Sequence, residues 1–315
     1  MSVFVLLIIP IGMISFSLRR MPMALADLVH SGKRDEPRKL VLNGTPGSGK
    51  TSYVAGWARS SGMPSPLMLD FEDGLKDIDC NSIPFYAKTG KTYQDLMQTL
   101  SDIKAEENLP YHTIGIDSVD WLERSLIWPA VCKMKGTASI EDIPYGKGFF
   151  EAASLFKKML DLLDEIRIEK NVMIVLISHA KIERFEDPRT EAYDRYVSRC
   201  NRHVSGLMLE WADEFFFCTF KVNTLKEDKG FNKSRVRGLG SGERVMYCTE
   251  QPSHIAKNRA SLPNELPFSW EAYANAVFPT DAAPTMAEDI KEALEVTKKP
   301  VTKSKTPKKK EAVNG

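Results

Sequence analysis

Leu40-Val41-Leu42-Asn43-Gly44-Thr45-Pro46-Gly47-Ser48-Gly49-Lys50-Thr51 is the stretch on which the reading of the chain turns. Its apolar start predicts a strand, residues 44–51 carry the spacing G-x-x-x-x-G-K-[ST], and residues 52–59 have helical character. That is the strand–loop–helix setting of a phosphate-binding loop. Glycines let successive backbone N–H groups curl around an anion, at φ values other residues resist. A helix starting near Gly49 adds unpaired donors and the positive end of a dipole. Lys50 is spaced to reach the β- and γ-phosphates, and the Thr51 hydroxyl to ligate Mg²⁺. The expected nucleotide-binding residues are therefore Gly44, Thr45, Pro46, Gly47, Ser48, Gly49, Lys50 and Thr51. A nucleoside triphosphate with Mg²⁺ is the expected ligand. Guanine specificity is disfavoured, because Asn232-Lys233-Ser234-Arg235 lacks the final acid of an Asn-Lys-x-Asp motif.

Working outward, residues 66–72 predict a buried strand ending in Asp70 and Glu72, and residues 113–117 a second ending in Asp117. An acid at the carboxyl edge of a strand beside the loop is where a metal-coordinating carboxylate is needed, so Asp117 joins Thr51 as an expected Mg²⁺ residue. Strand alternation would put Asp70 and Glu72 on one face. Glu72 is the expected base or positioning group for an attacking water, with Asp70 in support. Both acids could instead cap the turn at Asp73-Gly74. His179 closes the apolar run 171–177 after Ser178, placed to sense a γ-phosphate.

The remaining pattern alternates. Thr92 is the expected cap of a helix through Leu96, Leu100 and Ile103, and a further helix runs through Trp121, Leu122 and Leu126. Residues 149–168 predict a long amphipathic helix with Phe156, Met159, Leu160 and Leu163 on its core face. Residues 215–220 and 245–249 are expected strands. Apolar strands alternating with helices argue an α/β fold with a mostly parallel central sheet and helices on both faces.

Composition bounds the rest. The 315 residues are 43% hydrophobic, enough for a sizeable core. Net charge is +1, yet residues 297–310 hold seven lysines and no acid, so the remainder sums to −6 (+1 minus 7). Five scattered cysteines with no C-x-x-C pair argue against a zinc site or disulfide framework and suit reduced thiols in the cytoplasm. Residues 1–22 form an apolar leader broken by Pro10 and Gly12, short for a membrane span; we expect it to be dispensable, with Met23 a plausible start and no membrane partner. Residues 279–315 are an expected disordered, Lys-rich tail.

Two cationic stretches suggest nucleic acid. Residues 181–203 read as a loop mixing cations with rings, including Arg184, Arg195, Tyr196, Arg199 and Arg202; residues 221–244 read as a second basic loop with Lys233, Arg235 and Arg237. Cations tracking phosphates and rings stacking on bases are what single-strand binders combine. Lys257 and Arg259, two apart in an extended segment, could meet one phosphate, most usefully that of a neighbouring subunit.

With these positions in hand, residues 23–278 resemble the RecA-like P-loop ATPases, and most of all the small single-domain phage-encoded proteins of that class, some of which act in recombination and single-strand annealing. Residues 66–79 are similar to the strand bearing the catalytic glutamate, residues 113–119 to the Walker-B strand, and Leu176-Ile177-Ser178-His179 to the sensor strand. Lys257-Asn258-Arg259 looks like the Lys-x-Arg pair of hexameric helicases, and residues 193–211 and 256–263 look typical of the phage group. The resemblance implies an ATP-hydrolysing protein acting on single-stranded DNA in phage recombination, repair or replication, with Mg²⁺, inside a bacterial host. It also implies a homo-oligomer with nucleotide at the subunit interface, and other phage recombination or replication proteins as partners. Glu72, Lys50, His179, Lys257 and Arg259 are the catalytic residues it implies. A ring-forming helicase or translocase, and a nucleotide-gated DNA-binding module with little turnover, are the alternatives.

Overall fold

The computed structural model describes Gly32 and residues 36–56, 65–228 and 234–278, with backbone alone for 223–228 and 234–241. The leader 1–22, the tail 279–315 and Lys233 lie outside the described residues. The chain divides into two compact units, Met1–Glu36 and Pro37–Gly315, and the second holds the sheet.

Strand β1 (Lys39–Gly44) sits in the middle of the sheet and runs into α1 (Lys50–Ala55) through the glycine-rich loop. Next come β2 (Leu67–Asp70), β3 (Asn81–Pro84), α2 (Tyr93–Ala105) and β4 (Thr113–Asp117). A helical run follows, α3 (Val119–Leu122), a π-turn at Glu123–Ile127 and α4 (Trp128–Lys135), then α5 (Lys147–Lys170) and β5 (Met173–Phe185). The chain continues through β6 (Tyr193–Ser198), α6 (Arg202–Trp211), β7 (Glu214–Asp228), β8 (Ser234–Tyr247), β9 (Lys257–Asn258), β10 (Glu265–Pro267) and α7 (Trp270–Val277).

The sheet order is β10-β8-β7-β1-β5-β4-β2-β3. The strands from β3 to β7 pair in parallel, while β8, β9 and β10 add antiparallel pairs at the far side. Register sets one functional edge. Asp70 pairs with Asp117, Asp117 with Ile177, and Gly44 with both His179 and Cys218. The acid-ended strands, the histidine strand and the loop therefore finish at one level, at the carboxyl ends where open α/β sheets bind ligands.

Alternation builds a core on each face. Val41, Leu69, Ile116, Ile174 and Leu176 pack on one side with Leu96 and Leu100 of α2 and Phe156, Met159, Leu160 and Leu163 of α5. Leu40, Leu42, Met68, Val175 and Ile177 pack on the other with Tyr53 and Val54 of α1 and Trp270 and Tyr273 of α7. Thr92 caps α2 in a capping box with Asp95, as its sequence predicts. Asn171 ends α5 in the left-handed conformation rather than opening the next strand.

Three expectations are corrected. Residues 181–203 do not form a loop: β5 continues past the sheet and turns back as β6, and Arg202 and His203 open α6. Residues 221–244 are likewise the β7–β8 hairpin, with a bulge between Phe220 and Val222. Both are ribbons held by backbone pairing, so the hydrophobic alternation that marks a half-buried strand is missing from their sequence. Finally, Asp70 and Glu72 do not share a strand face. The strand stops at Asp70, whose Oδ1 accepts from the backbone N–H groups of Glu72 and Asp73, both at 3.0 Å, and of Gly74 at 3.4 Å. Asp70 is a turn cap, and the turn swings Glu72 elsewhere.

Candidate active site

The loop of residues 44–51 is shaped by its glycines at two kinds of position. At Gly44 a Cβ would stand 2.1 Å from the Cys218 carbonyl oxygen, so only glycine lets β1 and β7 approach. Gly47 and Gly49 hold φ of 76° and 91°, the left-handed region that turns successive N–H groups inward. Lys50 is 4% exposed, and its Nζ donates to the Gly44 and Thr45 carbonyls at 3.2 and 3.0 Å. Burial lowers its pKa, while the charges of Asp117, Glu72 and Asp120, among others, push it back up. The ammonium is thus held over the loop, within the field of the acids that end β4, follow β2 and open α3.

Asp117 ends β4 almost wholly buried. Burial pushes its carboxyl up to about 6, against a hydrogen bond from the Thr51 hydroxyl that favours the charged form. This donor set fits Mg²⁺: a buried carboxylate and a helix-start hydroxyl, both hard oxygen ligands, bonded to each other beside the phosphate loop.

Glu72 reaches the same edge by way of the Asp70 turn. Its Oε1 accepts a short hydrogen bond from the Ser118 hydroxyl and lies 3.3 Å from His179 Nδ1. Burial raises its pKa, with Ser118 and His179 opposing. A carboxylate of raised basicity, held at two points, is suited to accept a proton from water.

Asp120 and Ser118 are candidate site residues that the sequence did not single out. Asp120, on the first turn of α3, is 1% exposed; its Oδ1 accepts from the His179 backbone N–H at 3.0 Å and lies 3.2 Å from Nδ1. Burial pushes the Asp120 carboxyl up, but the bonds from the His179 ring and backbone outweigh it and leave its pKa lowered. An Nδ1–H donor between Asp120 and Glu72 satisfies both carboxylates, so Asp120 fixes the imidazole that flanks Glu72. An acid three residues after Asp117 at a helix start looks like an ordinary cap, and nothing local in the sequence distinguishes it. Glu72, Asp120 and His179 offer ligand atoms within 4.8 Å of one another, but those atoms already bond each other and Ser118.

Lys257 and Arg259 are not brought to this edge. β9 pairs with the first residues of β7, at the amino end of the parallel strands. Lys257 Nζ donates to the Leu209 and Glu210 carbonyls at 2.6 and 3.0 Å, capping α6, and burial lowers its pKa. Arg259 Nη1 lies 3.2 Å from Asp213 Oδ1.

The arm of β5 and β6 carries three of the expected nucleic-acid residues, Arg184, Arg195 and Tyr196, and Arg199 and Arg202 follow it in the chain. Arg184 is exposed, with Asp194 4.0 Å away. Arg202 is exposed at the start of α6, and the Arg199 backbone N–H donates to the His179 carbonyl at 2.7 Å. Arg195 lies 3.8 Å from the Phe185 ring centroid and 3.7 Å from a Glu250 carboxylate oxygen. Tyr196 stacks on Phe217 at 4.8 Å, so its ring belongs to a packed aromatic group with His254 and Tyr247. Arg235 and Arg237 lie on β8, where only the backbone is described.

Fold and site together define a P-loop protein with a mostly parallel sheet, in which an acid-ended strand and a histidine strand converge on the loop. Residues 36–260 match the family model described as an AAA domain, and the chain belongs to that family. Among solved structures, the RadB recombinase is similar, with a TM-score of 0.36 and 15% identity over 70% of this chain and 86% of its own. The flagellar accessory protein FlaH from Methanocaldococcus jannaschii is similar with a TM-score of 0.38 and 12% identity, over 73% of this chain and 84% of its own. No curated protein sequence matches. Among the described residues no helix is long and apolar enough to cross a membrane.

Proposed function

We propose that the protein hydrolyses ATP at this edge and uses the cycle to control its hold on single-stranded DNA, in phage recombination, repair or replication within the bacterial cytoplasm. The observation that carries the reading is the convergence of Lys50, the Thr51–Asp117 pair and Glu72 at the carboxyl ends of adjacent strands. Thr51 and Asp117 would hold Mg²⁺, which supplies positive charge to the phosphate oxygens. Lys50 neutralises the β- and γ-phosphates. Glu72 takes a proton from the water attacking the γ-phosphorus, and ADP leaves with its bridging oxygen. Ser118 and His179 hold the Glu72 carboxylate in line, and Asp120 holds His179.

The DNA part rests on connectivity and charge. Strand β5 runs unbroken from Met173 through His179 to Phe185, so a shift at the catalytic edge is carried directly into the arm. A cavity of about 250 Å³ at the foot of the arm is rimmed by Lys181, Arg195 and Arg202, with Glu183 as the opposing charge. The phage setting rests on the sequence resemblance alone. We further propose that residues 23–278 suffice for nucleotide binding and that the lysine tail adds salt-sensitive attraction to DNA. A chain starting at Met23 that no longer binds nucleotide would refute the first of these.

Phosphate release titrated with single-stranded and with duplex DNA, at two salt concentrations, tests the reading. Stimulation by single strands that weakens with salt is expected. No release under any condition refutes the hydrolase, and equal stimulation by duplex refutes the single-strand preference. A homo-oligomer in which Lys257 and Arg259 leave their partners within the chain for a neighbour's phosphate has its own test. The Arg259 side chain is 56% exposed at the end remote from its own P-loop, so only a second copy could bring it to a nucleotide. Mixing Arg259→Ala with Lys50→Ala protein should then restore part of the activity; strictly additive inactivity would dismiss the arrangement.

A further inference from the structure

Arg244 has no role in the site described so far, yet it lies against the phosphate loop. A Cβ built on Gly49 would lie 2.7 Å from Arg244 Nη1, 3.0 Å from Cζ and 3.4 Å from Nε, so the guanidinium lies against the loop where any side chain would stand. Gly49 is required for its φ of 91°, and the guanidinium takes up the room that its missing side chain leaves. Arg244 is on β8, opposite Phe220 of β7, and its Cζ lies 5.8 Å from the Phe220 ring centroid. It is exposed, and among the described residues no carboxylate lies within ion-pair distance of it, whereas Arg38, Arg189 and Arg259 each have one. An arginine without a carboxylate, set against a phosphate-binding loop, is available for a phosphate.

Sheet order says which phosphate. Glu72 follows β2, and Asp117 and His179 lie on β4 and β5, all on one side of β1, while Arg244 comes from β8 on the other. A triphosphate laid along the loop with its terminal phosphate toward Glu72 turns its inner phosphates and nucleoside toward β7 and β8. We propose that Arg244 is a nucleotide-binding residue supplied by the same chain, fastening the inner phosphates common to ATP and ADP, with the half-buried Phe220 ring beside it as an apolar face for the base. The inference rests on the ATP reading of the P-loop and deepens it: one cation of the site comes in cis, from the nucleoside side.

Dissociation constants for ATP and ADP with Mg²⁺, measured on wild type, Arg244→Ala, Arg244→Lys and Lys50→Ala, test this. Arg244→Ala is expected to weaken both nucleotides by the same factor, about 10- to 100-fold, as loss of a charge-assisted contact does. Arg244→Lys is expected to fall between, keeping charge without the fork. Unchanged affinity in Arg244→Ala, or weakening of ATP alone, overturns the proposal; the second result would put Arg244 on the transferred phosphate. Wild type that binds neither nucleotide would overturn the ATP reading itself, a failure seen before any Arg244 variant is compared. A thermal melt of each variant confirms that an exposed side chain has been changed without loss of fold.

Discussion

The two ends of the parallel strands carry similar residues put to opposite uses. At the amino end, Arg38 pairs with Glu214, Arg259 pairs with Asp213, and Lys257 caps the last carbonyls of α6. Those charges are directed at one another and at backbone. At the carboxyl end, Lys50, Thr51, Glu72 and Asp117 are instead gathered around a loop whose N–H groups turn inward. Burial raises the pKa values of Glu72 and Asp117 there, with only partial compensation, while the His179 bonds leave that of Asp120 lowered. The same chemistry stabilises where it closes on itself and binds where it does not. Charge type alone therefore does not distinguish a structural pair from a site; position along the strand does.

That contrast can be broken in graded ways. The largest effect is expected from Gly44→Ala, which drives a Cβ to 2.1 Å from the Cys218 carbonyl. Forcing β1 from β7 should cost more than about 3 kcal/mol and destroy nucleotide binding together with stability, read by chemical denaturation. At the amino end, burial pushes the Glu214 carboxyl up from 4.5 to about 7, with Arg38 opposing. The folded protein holds this proton more tightly than the unfolded chain, so the contribution is fully present below pH 4.5 and lost as pH rises through about 7. Glu214→Gln should remove that dependence and gain about 2–3 kcal/mol at pH 8 relative to wild type, measured by urea titration at pH 5 and 8. Lys257→Ala should cost about 1 kcal/mol, the scale of a cation at a helix carboxyl end. Arg259→Ala, losing a half-exposed ion pair, should cost less than about 1 kcal/mol in thermal melts. A loss of several kcal/mol for Arg259 would mean that this end is not the self-contained cluster described above.

How legible each end was in the sequence follows from the range of its interactions. The P-loop is a local feature, because its glycines and lysine act within eight residues, and it folds as its spacing predicts. Asp117 is legible for the same reason, at the end of a short apolar strand. Glu72 reaches its expected place by a different route. Alternation holds only while a strand lasts, and here Asp73, at φ 63°, takes the chain into a turn. Asp120, Ser118 and Arg244 were not legible. Each acts through a partner that only sheet order brings near: His179 for Asp120, Glu72 for Ser118, Gly49 for Arg244. The two long hairpins were misread as loops because backbone pairing, not side-chain burial, defines them.

The account stands on the carboxyl end being a hydrolysis site with Glu72 as its base. Single-turnover phosphate release by wild type and Glu72→Gln, with ATP affinity measured on the same preparations, tests it most directly. Binding within a few-fold of wild type with release slowed by about 10²–10⁴ is the predicted result. Equal release rates in the two proteins would contradict it.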